Sequence, residues 1–188
     1  MNYVEEVRKY VMEKIQWHKE TAEDHFDFWN EHIKYVYKEA EKLAIKYNAD
    51  IEIVKIGALL HDIALINMVG TKKDHHINGA KITEDFLTSI NYPKSKTEKV
   101  VSCVYNHRSS KNATNIEEIC VADADILAHF DNIPMVFDIM FNVRNMQLAE
   151  GKKELEKYLE KDFNDLSDKT KEIFKDRYEV IKDVLIAK

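Results

Sequence analysis

Four segments of the sequence with a helical apolar repeat each carry a histidine or an aspartate on the side where hydrophobic residues recur. These polar residues are His32, the adjacent pair His61 and Asp62, His107, and Asp123. Asp123 is the sharpest case, because the other positions of its stripe, 116, 119, 120 and 127, are all apolar. A charged carboxylate on a buried helix face is costly unless it is paired or binds a cation.

Imidazole and carboxylate groups are the ligands that borderline divalent metal ions prefer, and helical bundles commonly build metal sites from facing helices. Taken alone, an inward histidine is usually a hydrogen-bonded core residue, and an inward aspartate usually accepts a hydrogen bond from a neighbouring helix. Four helices that each direct such a group inward are harder to explain in this way. The set therefore predicts a metal centre inside the protein.

The elements that must position these residues are helices. Only four glycines and two prolines occur among 188 residues, which disfavours β-sandwiches and glycine-rich linkers. Apolar residues recur every three to four positions, and no segment shows a convincing strand alternation. We expect one all-α, multi-helix domain over residues 1–188, with the chemistry in about 26–130 and the helices of 134–188 packed on it or forming a homodimer surface.

Capping and breaking residues predict where several helices begin and end. One long helix is predicted from about residue 26 to residue 47, and Asp50 is a suitable cap for the next. Thr114 and Glu117 have the spacing of a capping box. Pro134 begins a helix whose apolar stripe extends to Leu148, and Ser167 begins the last helix.

The charge pattern narrows the class of partner. The formal net charge is −6, and only four of the 28 basic residues are arginines, which argues against a nucleic-acid polymer as ligand. A small anionic substrate is compatible with a few local cations or a metal ion. Two cysteines without a CxxC spacing, and no membrane-spanning or signal-peptide pattern, predict a cytoplasmic protein without membrane contact.

Three motifs together resemble the HD-domain superfamily of metal-dependent phosphohydrolases. They are the lone His32, the run Ala58-Leu59-Leu60-His61-Asp62-Ile63, and Val121-Ala122-Asp123. The resemblance implies an all-α core with one metal ion held by residues matching His32, His61, Asp62 and Asp123. The family aspartate could instead be Asp125, but Asp125 lies off the apolar stripe, so periodicity selects Asp123.

Some members of this superfamily hold a second metal ion with two further histidines, which His107 and either His75 or His76 resemble. The family's spacing from histidine to glycine favours His75, whereas the apolar stripe of that helix favours His76, and we rank His75 first. One or two divalent ions are expected. Fe, Mn, Zn, Ni, Co and Mg are not distinguished by these ligand types.

One departure from the family pattern affects phosphate binding. Many phosphohydrolase members continue the His-Asp doublet with Ile-Gly-Lys, where this chain has Ile63-Ala64-Leu65. Lys72, Lys73 and Arg108 are candidate replacements for the missing lysine, and Arg108 is the best placed because it directly follows His107.

The resulting hypothesis is a metal-dependent phosphohydrolase that acts on a small phosphate ester or nucleotide through metal-bound hydroxide. Asp62 would be a metal ligand and a catalytic group, and Arg108 would stabilise charge on the transferring group. Two alternatives are retained. The fuller set of histidines also resembles HD-fold di-iron oxygenases, and a non-catalytic metal- and nucleotide-binding sensor would need the same residues.

Overall fold

The computed structural model describes residues 2–24 and 26–186, and the part it describes is helical, without a β-strand. This confirms the all-α class. The α-helices are α1 Tyr3–Thr21, α2 Lys34–Tyr47, α3 Ile51–Leu60, α4 Ile63–Ile66, α5 His75–Ser89, α6 Lys94–Asn106, α7 Ile116–Asp131, α8 Ile133–Phe137, α9 Leu148–Asp165 and α10 Asp168–Ile186.

Side-chain caps start the helices that carry the motifs. Asp50 accepts hydrogen bonds from the backbone N–H groups of the second and third residues of α3, as its sequence position predicts. The cap of α7 lies one residue later than predicted: Asn115 accepts from the N–H of Glu118 at 3.0 Å. The N–H of Thr114 donates to the Glu118 carboxylate at 2.7 Å, so Glu118, and not the predicted Glu117, is the acidic residue of this helix start.

The predicted long helix over 26–47 contains an irregular first part. Residues Trp29–Ile33 form a π-helical turn that leads directly into α2. A π turn inserts extra backbone into the helical repeat, and such turns are frequent at functional sites. His32 lies in this turn and is buried.

The core lies where α3 packs against α1, α2, α6 and α7, and α7 packs most extensively against α2. Because α3 is surrounded in this way, its apolar run from Ile56 to Leu60 is fully buried. Gly57 allows close approach, since a Cβ there would lie 3.1 Å from both the Cys103 Cβ and the Val121 Cγ2. The end of α3 is therefore held firmly at the centre of the molecule.

The predicted helix from Pro134 to Leu148 is interrupted. α8 continues as a π-helical stretch, Asp138–Val143, and Asn145 has a left-handed backbone with φ of 51° before α9 begins at Leu148. Gly151 permits the crossing of these segments, because a Cβ at this position would lie 2.2 Å from the Phe141 Cε1. α9 is an element that the sequence patterns did not predict.

The helices after residue 134 pack on the rest of the protein. Buried side chains of α9 and α10, and of the turn between them, join the common hydrophobic core: Leu155, Leu159, Leu166, Phe174 and Tyr178. Within the described ranges, no helix combines the length and the apolar character needed to cross a membrane.

Candidate metal centre

Six histidine and aspartate side chains from separate parts of the chain meet beside the end of α3. Five of them lie at a helix end, in a turn or in the π-helical segment, and the sixth, Asp125, lies in the middle of α7. They are His32, His61, Asp62, His75, His107 and Asp125.

The first group of donors surrounds the His-Asp doublet. His32 Nε2 lies 3.0 Å from His61 Nε2 and 3.0 Å from Asp125 Oδ1. Asp62 Oδ2 lies 3.6 Å from His32 Nε2 and 3.4 Å from His61 Nε2. Two imidazoles and two carboxylates thus converge on one small volume, which is a suitable donor set for a divalent ion.

The second group uses the other oxygen of the same aspartate. Asp62 Oδ1 lies 3.3 Å from His75 Nε2 and 3.8 Å from His107 Nε2, and these two nitrogens are 2.9 Å apart. His75, rather than His76, is therefore the residue that the structure places here. Since Asp62 faces both groups, one carboxylate can serve two neighbouring ions.

Backbone carbonyls fix the tautomers of three of these rings. The Nδ1–H groups of His61, His75 and His107 donate to the carbonyl oxygens of residues 58, 72 and 104, at 2.8, 2.9 and 2.6 Å. A carbonyl can only accept, so each neutral ring presents a bare Nε2. Two bare nitrogen lone pairs 2.9 Å apart, in His75 and His107, repel each other unless a cation lies against both. The donor set therefore fits metal binding, and its outer hydrogen bonds are of the kind that orient metal-ligating histidines.

The electrostatics of the cluster keep Asp62 and His107 in the forms that bind cations, whereas they favour a proton on His61 that a bound ion would displace. Burial would raise the pKa of Asp62, but the histidines around it, His61 first, hold that pKa well below its usual range. Burial and the charge of His61 lower the pKa of His107 to about 4. Burial lowers the pKa of His61, but Asp62 and Asp125 outweigh this and raise it to about 9. Asp62 is thus ionised and His107 neutral near pH 7.

The structure corrects the choice of Asp123 as the aspartate of the cluster. Asp123 Oδ1 accepts from the N–H of Ser167 at 2.9 Å, and Oδ2 accepts from the hydroxyls of Ser167 and Thr170 at 2.5 and 2.6 Å. Its carboxylate accepts the hydrogen bonds that join α7 to the start of α10. Asp125, one of the two aspartates considered, is the residue beside His32.

Sequence reasoning missed the part that α9 plays. His129 lies one turn beyond Asp125, and one of its ring nitrogens is within 4.8 Å of donor atoms of both His32 and Asp125. His129 Nδ1 lies 2.8 Å from Asp162 Oδ2. The available signal was the four-residue spacing from Asp125, which places both side chains on one face of a helix. Asp162 had no signal, because α9 itself was not predicted.

The predicted anion-binding residues lie at the surface next to the second group. Arg108 is exposed, and its Nη1 donates to the carbonyl oxygen of Lys73 at 2.9 Å. Lys72 and Lys73 are also exposed. Arg108 thus connects the end of α6 to the turn before α5, and its charge stands beside His107 rather than inside the cluster.

A family model for the HD domain matches residues 29–129, which is more than half of the chain and includes the whole six-residue cluster. The protein belongs to the HD-domain family. The match ends at His129, so α9 and α10 lie outside the matched segment. No curated protein matches the chain significantly.

Solved structures share the fold over nearly the full length. Bacillus subtilis YpgQ has a TM-score of 0.68 and 19% identity, with 97% of this chain and 91% of YpgQ covered. Lin1889 from Listeria innocua has a TM-score of 0.66 and 22% identity, with 94% of each chain covered. A predicted HD superfamily hydrolase from an uncultured Thermotogales bacterium has a TM-score of 0.63 and 22% identity, with 96% and 87% covered. At these identities the likeness establishes the fold.

Metal loading is expected to raise the melting temperature of this HD-domain protein. An ion relieves the repulsion between the facing nitrogens and carboxylates, and it binds the folded state selectively. At 100 times Kd the gain is about 2.7 kcal/mol, or roughly 5–10 °C for a chain of this size. Thermal melts in a chelator, and after addition of Mn, Fe, Co, Ni, Zn or Mg, measure it. An unchanged Tm with all six ions would contradict a metal centre.

Proposed function

We propose that this protein is a metal-dependent phosphohydrolase that acts on a small phosphate ester or nucleotide. The observation that carries the proposal is the convergence of six buried or nearly buried donors into two groups that share Asp62. Family membership supports the broader assignment to metal-dependent hydrolases.

The proposed roles follow from position and charge. His32, His61, Asp62 and Asp125 would hold one divalent ion, and Asp62, His75 and His107 a second. When bound, such ions lower the pKa of a coordinated water and withdraw charge from phosphoryl oxygens. Because its two oxygens face the two groups and its pKa is held low, Asp62 would act as a ligand to both ions.

The least buried side chains in and beside the cluster belong to α7. The side chains of His61 and His107 are 0% and 2% exposed, whereas that of Asp125 is 17% exposed and that of His129 is 19%. A substrate therefore approaches from the side of α7 and α9. Arg108 stands at the outer edge of the second group, where its guanidinium would bind the substrate's phosphate oxygens.

Nucleotides are the preferred subset of substrates. YpgQ, which has the same fold, was also crystallised in complex with ADP, at a TM-score of 0.64 and 19% identity to this chain. This supports a nucleotide as the first compound to test.

The test combines elemental analysis with a substrate panel. The purified protein is analysed for bound metals, stripped, reloaded with each of six divalent ions, and assayed for phosphate release from p-nitrophenyl phosphate, AMP and ADP. We expect metal-dependent release that a chelator abolishes. An intact nucleotide that raises Tm under every metal condition would instead favour the sensor alternative.

The shared aspartate also favours one other enzyme class, since two ions beside a single carboxylate suit a di-iron oxygenase. The two classes differ in their need for oxygen. The hydrolase releases phosphate under argon. Two irons per chain, with oxygen uptake on a polyol or phosphonate and no anaerobic phosphate release, would overturn the hydrolase proposal.

A further inference from the structure

A polar groove of about 590 Å³ lies beside the second donor group, outside the six-residue cluster. His76 and Arg108 form one part of its wall, Tyr105 another, and Lys161 and Asp165 of α9 the facing part. Its volume is within the range of small-molecule sites. No function assigned so far uses it.

The groove adjoins the cluster through single side chains. His75 and His76 have ring centroids 5.9 Å apart, so one ring separates the second donor group from the groove. Arg108 directly follows His107, whose Nε2 belongs to that group. A molecule with one end at the cluster can therefore place its other end in the groove.

The charge of the groove is opposite to that of the protein. The chain has a net charge of −6, yet the groove wall holds two cations, Arg108 and Lys161, against one carboxylate, Asp165. Asp165 pairs with Lys111 at 2.7 Å and with Lys161 at 2.8 Å. Among the residues that the structure describes, no carboxylate forms an ion pair with Arg108. An anion between these side chains would be attracted by the excess positive charge.

The two cations that line the groove, Arg108 and Lys161, repel each other. The positive charge of Arg108 acts to lower the pKa of Lys161, although Asp165 outweighs it. Both side chains line the groove, Lys161 from α9 and Arg108 from the end of α6. A phosphate group accepts hydrogen bonds from an ammonium and a guanidinium together, which would remove this repulsion.

We propose that the groove is a subsite for a second phosphate group, so that preferred substrates carry a phosphate beyond the one held at the cluster. The inference rests on the proposed phosphohydrolase function and specifies its substrate class as diphosphate or polyphosphate compounds, with ADP favoured over AMP. α9 confers this preference, because Lys161 lies outside the family segment 29–129.

The kinetic test compares ADP with AMP in wild type and in a Lys161→Gln variant. The variant is expected to raise KM for ADP about tenfold, the effect of losing one charge-assisted contact, and to change KM for AMP less than about twofold. The effect on ADP should shrink as salt screens the charges. Lys152→Gln is the matched control, since Lys152 is exposed and lies nine residues earlier, on the opposite face of α9.

A binding measurement separates this proposal from the hydrolase proposal. Titration calorimetry on chelator-treated protein should show tighter binding of ADP than of AMP, with the difference lost in Lys161→Gln and kept in Lys152→Gln. If no compound is hydrolysed but this difference appears, the subsite stands and the hydrolase fails. Equal affinities for ADP and AMP, or equal losses for both in Lys161→Gln, would overturn the subsite. Thermal melts establish that each variant is folded, and Lys111→Gln replaces Lys161→Gln if that variant is not.

Discussion

An Asp62→Asn variant is expected to lose turnover by more than about a hundredfold and to retain less metal at both donor groups. Replacing a residue that only orients a metal ligand typically lowers metal affinity or activity tenfold to a hundredfold. Asp62 would contact the ions directly, because its two oxygens face separate donor groups, so a larger loss is expected. Asparagine keeps the size of the side chain but removes the negative charge that offsets two cations. The loss of turnover and the loss of metal at both donor groups are therefore expected from this one substitution.

Metal content by elemental analysis and rates on the best phosphate ester measure this prediction. Asp50→Asn is the matched control: Asp50 caps the same helix, α3, and asparagine caps a helix equally well. The control should keep wild-type metal content and rate. Full metal content and activity in Asp62→Asn would remove Asp62 from the centre and reject the shared-ligand arrangement.

The second large effect is expected from Asp125→Asn, in contrast to Asp123→Asn. Asp125 Oδ1 lies 3.0 Å from His32 Nε2, so the amide weakens the first donor group, and we expect at least half of the bound metal and most of the activity to be lost. Asp123 instead binds Ser167 and Thr170. Its replacement leaves buried polar groups less satisfied, at a cost of about 1–3 kcal/mol, while the metal content stays unchanged.

The two aspartate variants thus separate chemistry from stability. Elemental analysis should distinguish them at once, and thermal melts should show Asp123→Asn melting roughly 2–10 °C below wild type. If Asp123→Asn lost the metal and Asp125→Asn kept it, the original choice from periodicity would be restored, and the structural arrangement of α7 would be wrong.

The reason why periodicity selected the wrong aspartate lies in the surroundings of α7. A single apolar stripe is informative for a helix with one buried face, whereas α7 is buried on nearly all sides by α2, α3, α6 and α9. Both aspartates are therefore enclosed. Only the neighbours, Ser167 on one side and His32 on the other, decide which carboxylate is already hydrogen-bonded and which faces the histidines.

A similar limit applies to His75 and His76, which are adjacent at the start of α5. The helical apolar stripe favours His76 and the family's spacing favours His75, but neither pattern describes the turn before α5. The carbonyl of Lys72 accepts from His75 Nδ1 and so directs that ring to His107. His76 lines the groove.

The sequence by itself determined the helical class, the family and most of the cluster, because helix periodicity and short motifs are local properties of the chain. His32, the His61-Asp62 doublet and His107 could all be found in this way. The tertiary structure alone decided the choice of Asp125, the position of His129 against Asp162, and the cationic groove formed with α9. These depend on which side chains distant segments place within a few ångströms of each other, and no local pattern encodes that distance.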